Sequence, residues 1–193
     1  QQIDNAAKVF WSDPKRHKTG RLNLRKARYE IFNNGIGIDS QFDEELRWAI
    51  ADKCGQLMFE KTTLYPDAIS TLNKLRHNKV KLALVTNGTS TAQRKKINKF
   101  DLENHFDHIQ IEGEAGIGKP ELDAYKKALT TLDVKASETW MVGDNLEWEV
   151  IAPQKLGIFS IWRDPQGDGT LPKNTTAKPD MIITKLSELV TGY

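Results

Sequence analysis

The chain has 193 residues, of which 38% are hydrophobic and 28% charged, and a formal net charge of +2. That size fits one α/β domain, or a core with a small appended unit, and the composition argues against a disordered or fibrous chain. No apolar run approaches the length of a membrane span, no signal peptide is visible, and the single cysteine, Cys54, cannot form an intrachain disulfide, so a reducing, cytoplasmic setting without a membrane partner is expected.

Residues 1–64 carry no convincing strand. Ile3, Ala6, Ala7, Phe10 and Trp11 fall at helical spacing, and Leu24, Ala27, Ile31 and Phe32 repeat it up to Asn33-Asn34-Gly35. Phe42, Leu46, Ala49, Ile50 and Leu57 predict a third helix over about 41–60. The first third therefore reads as a small helical unit. Residues 1–35 hold eight Lys/Arg against three Asp/Glu, a local +5 that leaves the rest of the chain at −3. A solvated basic helical face explains this more simply than nucleic-acid binding, and no nucleic-acid partner is expected. Attraction of a phosphorylated substrate is a third reading.

At Tyr65-Pro66-Asp67 the pattern changes, because Pro66 breaks the preceding helix. Residues 68–77 read as a helix, 80–86 (VKLALVT) as a buried strand, 90–99 as a helix and 108–112 (HIQIE) as a strand. A helix over 121–131 is expected to open on Pro120 at its first position. Residues 139–143 (TWMVG) follow as a strand and 146–156 as a helix that Pro153 should kink or shorten. Strands at 157–162 and 180–184 flank a loop over 163–179. Strands alternating with helices imply an α/β fold, a Rossmann-like, doubly wound parallel sheet, with its site beyond the strand C-termini.

Three groups fall on that edge. Thr86-Asn87-Gly88 follows a strand and precedes a helix, where a hydroxyl and backbone N–H groups make an anion cradle. Gly118-Lys119-Pro120 ends a glycine-bearing loop in a compact cation suited to phosphate oxygens. It is not a Walker A loop, since Pro120 stands where Ser or Thr is needed. Asp144 follows Gly143, with Glu147 and Glu149 close behind, an acidic set that suits Mg²⁺ or a helix N-terminus.

The order Thr, then Lys, then Asp after successive strands resembles motifs II, III and IV of the haloacid dehalogenase-like (HAD) hydrolase superfamily, in its subfamily with a helical cap. TNG at 86–88, GKP at 118–120 and GDN at 143–145 stand as that family would have them, and the match runs from Tyr65 to about Trp162. The resemblance implies a cap over 1–64 and a Rossmann-like core over 65–193. It implies that Thr86, with Asn87 and Gly88, binds the transferring phosphoryl group and that Lys119 neutralises its charge. It also implies that Asp144 is a Mg²⁺ ligand and that the second acid of motif IV falls on Glu149. Basic cap residues such as Arg21 or Arg25 are candidates to contact an anionic substrate.

One piece departs from the pattern. Motif I, a DxDx[TV] run that ends the family's first strand and supplies the nucleophile, is missing. Asp4 has no strand before it, and Asp13 and Asp39 lie in the helical unit. The chain begins at Gln1, so upstream residues are expected to exist, and the core is expected to lack its first, central strand. Either a separate peptide fills that slot, or the strands ending at Thr86 and Asp144 close up and pair. The reading is a Mg²⁺-dependent phosphomonoester hydrolase of a small metabolite when full length, with the 193 residues alone inactive. A metal-independent 2-haloacid dehalogenase and a non-catalytic binding protein or inactive fragment are its rivals.

Overall fold

The computed structural model describes residues 1–37 and 42–191. The chain divides into two compact units, Gln1–Thr63 and Leu64–Tyr193.

The first unit is helical: α1 (Gln2–Ser12), α2 (Pro14–Arg21), α3 (Leu24–Ile36) and α4 (Glu44–Lys61). Asp13 separates the first two, its carboxylate accepting the N–H groups of Lys15 and Arg16 while Pro14 takes the first helical position. Helix α2, PKRHKTGR, was not anticipated, because it has no apolar stripe for periodicity to find. Its signal is the cap itself. Asn23 and Asp43 cap α3 and α4 in the same way. The expected start of the third helix at residue 41, and Asp39, lie outside the described residues, and α4 begins at Glu44. Phe10, Ala27 and Ile31 form the buried centre, with Ala6, Ala7 and Trp11 against it.

The second unit alternates helix and strand: α5 (Ala68–His77), β1 (Ala83–Thr86), α6 (Ser90–Lys99), β2 (His108–Ile111), α7 (Glu112–Ala115), α8 (Leu122–Leu132), β3 (Trp140–Gly143), α9 (Ala152–Gln154), β4 (Phe159–Arg163) and β5 (Met181–Ile183). Every strand pairing is parallel: β1 with β2 from Ala83↔His108 to Thr86↔Ile111, β3 with β4 from Trp140↔Phe159 to Gly143↔Trp162, and β4 with β5 from Ile161↔Met181 to Arg163↔Ile183. This is the Rossmann-like α/β arrangement read from the sequence, with Ile111, Val150, Ile161 and Ile183 sealed in its core.

Three details differ from expectation. The sheet is in two blocks, β1-β2 and β3-β4-β5, and the strands ending at Thr86 and Asp144 do not pair. Burial follows the split: every residue of β1 is only half-buried and Trp140 opens β3 at 44% exposure, whereas Ser160, Ile161 and Trp162 of β4 are buried. Helix α8 starts at Leu122, not at Pro120. The Lys119–Pro120 peptide is cis, and Glu121 N–H closes a turn onto Gly118 C=O before the helix begins. Over 146–156 the chain forms a wide π turn, Glu147–Ile151, followed by α9, so Pro153 falls in the first turn of a new helix, where no N–H is required.

Ile161 is fully buried and Phe159, two residues earlier on the same strand, is 40% exposed. Ile161→Ala is expected to destabilise the protein by about 2–5 kcal/mol in urea denaturation and Phe159→Ala by much less. A second test uses acid. Arg94 on α6 grips both oxygens of Glu114 on α7 at 2.8 Å, and Ser90 Oγ adds a bond at 2.6 Å. The Arg94 guanidinium, then the Ser90 hydroxyl, hold the Glu114 carboxyl down at about 2. Because the folded value lies below the unfolded one, this tie stabilises fully above about pH 4.3 and is lost as pH falls towards 2. Glu114→Gln should flatten the acid limb of stability between those values, measured as the denaturation midpoint against pH.

Candidate active site

Three loops leave the C-terminal ends of β1, β2 and β3, and polar contacts lock them together. The first is Thr86-Asn87-Gly88. Asn87 makes a reciprocal pair with the backbone of Lys119: its Oδ1 accepts Lys119 N–H at 2.8 Å and its Nδ2 donates to Lys119 C=O at 2.6 Å. Gly88 is held on both sides. Its N–H donates to Glu112 Oε2 at 3.0 Å, and its C=O accepts from Gly113 N–H at 2.9 Å. Gln93 Nε2 donates to Asn87 C=O at 2.9 Å, so the Asn87–Gly88 peptide is fixed at both its polar ends. Gly118 has to be glycine here, since a Cβ would come within 2.5 Å of the Glu112 carboxyl carbon and 2.8 Å of Asn87 Oδ1.

The second contact is ionic. Lys119 Nζ donates to Glu149 Oε1 at 2.6 Å, with the two side chains only 10% and 5% exposed. Asn145 N–H donates to the other oxygen, Glu149 Oε2, at 2.8 Å. Burial pushes the Glu149 carboxyl up, against the opposing pull of the Lys119 ammonium and the Asn145 N–H. The turn after β3 is further pinned by Trp148 N–H on Asn145 Oδ1, Tyr125 OH on Trp148 C=O and Trp162 Nε1–H on Asp144 C=O.

Against this network two groups stand apart. Among the described residues neither the Thr86 hydroxyl nor the Asp144 carboxylate has a hydrogen-bond or ion-pair partner. Thr86 is half-buried and Asp144 exposed. Lys119 uses one of its three N–H donors on Glu149. A hydroxyl, an ammonium with donors to spare and an uncommitted carboxylate are a set that can meet an oxyanion and a hard cation. Asp144 fits Mg²⁺, which binds through one or two carboxylates and keeps its waters. Glu149, paired with Asp144 as a ligand in the sequence reading, has both oxygens engaged already. Among the described residues there is no group of three or more His, Cys, Asp or Glu side chains placed to hold a metal.

The sequence reading missed Glu112, Gln93 and Asn145. Glu112 was taken as the last residue of the strand HIQIE, yet it is 4% exposed and opens α7. Its signal was available: an acid closing an apolar run has to find N–H donors once buried. Gln93 and Asn145 carry no comparable mark.

Comparison with known proteins identifies the family. Residues 29–163 match the family model of haloacid dehalogenase-like hydrolases. The phosphoserine phosphatase of Thermus thermophilus is 36% identical over 126 residues, covering 65% of the chain and 49% of that protein. The ribulose-1,5-bisphosphate 5-phosphatase of Halopiger xanaduensis is 31% identical over 146 residues, covering 73% and 61%. The chain thus spans about half to three-fifths of the length of these curated relatives. Among solved structures, the magnesium-bound HAD-hydrolase YfnB of Bacillus subtilis superposes with a TM-score of 0.76 over 97% of the chain and 79% of its own, at 21% identity. With the family model covering well over half of its residues and the loops at 86–88, 118–120 and 143–145 set on successive parallel strands, the chain belongs to the haloacid dehalogenase-like hydrolases.

Proposed function

We propose that the chain is part of a Mg²⁺-dependent phosphomonoesterase acting on a small phosphorylated metabolite. The observation that carries this reading is the contrast within the site: Thr86 and Asp144 keep their polar groups uncommitted, while Asn87, Glu112 and Glu149 are spent on holding the three loops in place. Both curated relatives described above are named as phosphatases of small metabolites.

In this reading Thr86 Oγ and the backbone N–H of Asn87 receive the phosphoryl oxygens, and Lys119 offsets their charge through the donors not given to Glu149. Glu149 positions the lysine, and Asp144 would hold Mg²⁺, which would offset negative charge on the phosphoryl oxygens. The nucleophile is an aspartate outside this chain. Its carboxylate oxygen bonds to phosphorus as the bond to the substrate oxygen breaks, and the leaving oxygen takes up a proton. Water then cleaves the aspartyl-phosphate, releasing inorganic phosphate and restoring the carboxylate. Residues 1–64 serve as the cap that selects the leaving group, and 65–193 as the core. A cytoplasmic location goes with this reading, and among the described residues no helix is long and apolar enough to cross a membrane.

The test is a phosphatase screen of the full-length protein across sugar phosphates, nucleotides and phosphorylated acids. Lys119→Met is expected to lower kcat/KM about a hundredfold, the loss of roughly 3 kcal/mol of transition-state stabilisation. A change within about threefold would reduce Lys119 to a structural role. Asp144→Asn should raise the Mg²⁺ concentration needed for half-maximal rate and cut kcat by orders of magnitude with the fold intact. Wild-type turnover at limiting Mg²⁺ would remove it from the metal site. The 193-residue chain alone should show no turnover, and metal-dependent hydrolysis by it would overturn the mechanism. Halide release from 2-haloacids in the presence of EDTA would favour the dehalogenase reading instead.

A further inference from the structure

Arg163, the last residue of β4, is seated by the fold and left without an acceptor. Its Nε is buried and has no hydrogen-bond partner, and among the described residues its side chain makes no ion pair. Other arginines are committed. Arg25 grips both oxygens of Asp52 at 2.7 and 3.0 Å, Arg94 grips Glu114, and Arg21 Nη1 lies 3.3 Å from His17 Nδ1. A guanidinium does not shed its proton, so an N–H sealed from water without an acceptor is costly and calls for a cause.

The seat is aromatic. The guanidinium carbon of Arg163 lies 3.9 Å from the centre of the Tyr65 ring, a cation–π contact. Both halves are mounted on fixed backbone of the second unit. Arg163 pairs with Ile183 of β5, and the following N–H, of Asp164, donates to Ile183 C=O at 2.8 Å. Tyr65 C=O accepts Ala68 N–H at 3.0 Å as α5 begins. The acids nearest this pair in sequence are used elsewhere. Asp67 takes Ser187 N–H at 2.8 Å, and Asp164 takes the N–H groups of Gln166 and Gly169, each at 2.8 Å. The two Nη nitrogens of Arg163 are unpartnered too, but they are not sealed, so the fork reaches solvent.

Its position decides what that fork can meet. Gly143 of β3 pairs with Trp162, so Asp144 and Arg163 each stand one residue beyond that pair, on adjacent parallel strands about 4.8 Å apart. Trp162 Nε1–H, donating to Asp144 C=O at 2.9 Å, ties the two strand ends together. Arg163 therefore stands on the same edge as the uncommitted carboxylate. The ring on one face and the sealed Nε reduce its contact with water, which strengthens its pull on an anion at the open end.

We propose that Arg163, stacked on Tyr65, is a specificity-determining residue of the core, its two Nη groups taking a second oxyanion of the substrate, a carboxylate or phosphate on the leaving group. Its use in selecting substrates rests on the phosphatase reading, whereas capture of the oxyanion does not.

The experiment has two readouts on the full-length protein. In the first, malonate, which has two carboxylates and no phosphoryl group, is titrated at constant ionic strength with chloride as the control. NMR follows the Arg163 Nε–H and the Tyr65 ring protons. A saturable shift at both is expected. The Tyr65 response should vanish in Arg163→Met, persist in Thr86→Val, and be about tenfold or more weaker in Arg163→Lys, which keeps the charge but neither the fork nor the stacking plane. A non-saturating drift, or a saturable Tyr65 response that survives Arg163→Met, would overturn the proposal. Should Arg163→Met fail to fold, Tyr65→Leu removes the ring alone and should weaken malonate binding at the Arg163 Nε–H, and unchanged binding there would sink the seat. The second readout is turnover of phosphoserine and phosphoethanolamine, which differ by one carboxylate. The ratio of their kcat/KM values should fall about tenfold or more in Arg163→Met, chiefly through KM for phosphoserine. An unchanged ratio would overturn the selective role. If the wild type turns over neither ester, the phosphatase reading fails and the malonate titration still decides the site.

Discussion

The buried pair between Lys119 and Glu149 is the contact on which the site depends. Taking two charges out of water is expensive, and their attraction offsets that only when the geometry is close and the remaining lone pairs are used. Both conditions hold: the contact is 2.6 Å long, and the second carboxylate oxygen accepts Asn145 N–H. Removing either partner would strand a buried charge, at about 3–5 kcal/mol in comparable cases. The pair joins the crossover after β2 to the turn after β3, so the lysine's position is set by the element that carries Asp144. It also decides which acid is left over, because Glu149 is consumed by the lysine and Asp144 is not.

The same logic extends to the loop after β1. Asn87 clasps the backbone of Lys119, and Glu112 with Gly113 clasps Gly88. Thr86, Lys119 and Asp144 come from chain positions far apart, yet a short series of bonds runs from one to the next. Such a series keeps a hydroxyl, an ammonium and a carboxylate at fixed separations, which is what a site built for charge stabilisation needs.

The fold was legible because its cause is local. Short apolar runs closed by a turn residue mark strands whatever surrounds them, and the strand ends at Thr86 and Gly143 fall where those runs stop, whereas β2 ends at Ile111, one residue before the expected Glu112. The three groups beyond them were legible for the same reason. The rest depends on partners distant in sequence. Nothing near Glu149 says that Lys119, thirty residues earlier, will take one of its oxygens. Helix α2 escaped because it has a cap but no apolar face, and the π turn before Pro153 because i→i+5 bonding leaves no periodic trace.

The division of the sheet raises a question of cohesion. β1 and β3 each pair on one side only, and unpaired strand edges contribute nothing to holding the two blocks in one unit. Helix α8 supplies the missing connection. Gln110 of β2 reaches it, Nε2 donating to Ala124 C=O at 2.9 Å, which ties α8 to the first block. Tyr125, the next residue, packs with Ala152 and Ile158 beside Met141 of β3, and its hydroxyl, which burial keeps protonated well above the ordinary range, donates to Trp148 C=O. Leu122 and Leu129 extend that contact along the same helix face. One amphipathic helix therefore bonds to one block through Gln110 and buries its apolar stripe on the other. The Lys119–Glu149 pair closes the same span beyond the C-terminal ends of the strands. The two blocks are held together by side chains rather than by a backbone ladder, and among the described residues β1 and β3 each keep one edge without a strand partner.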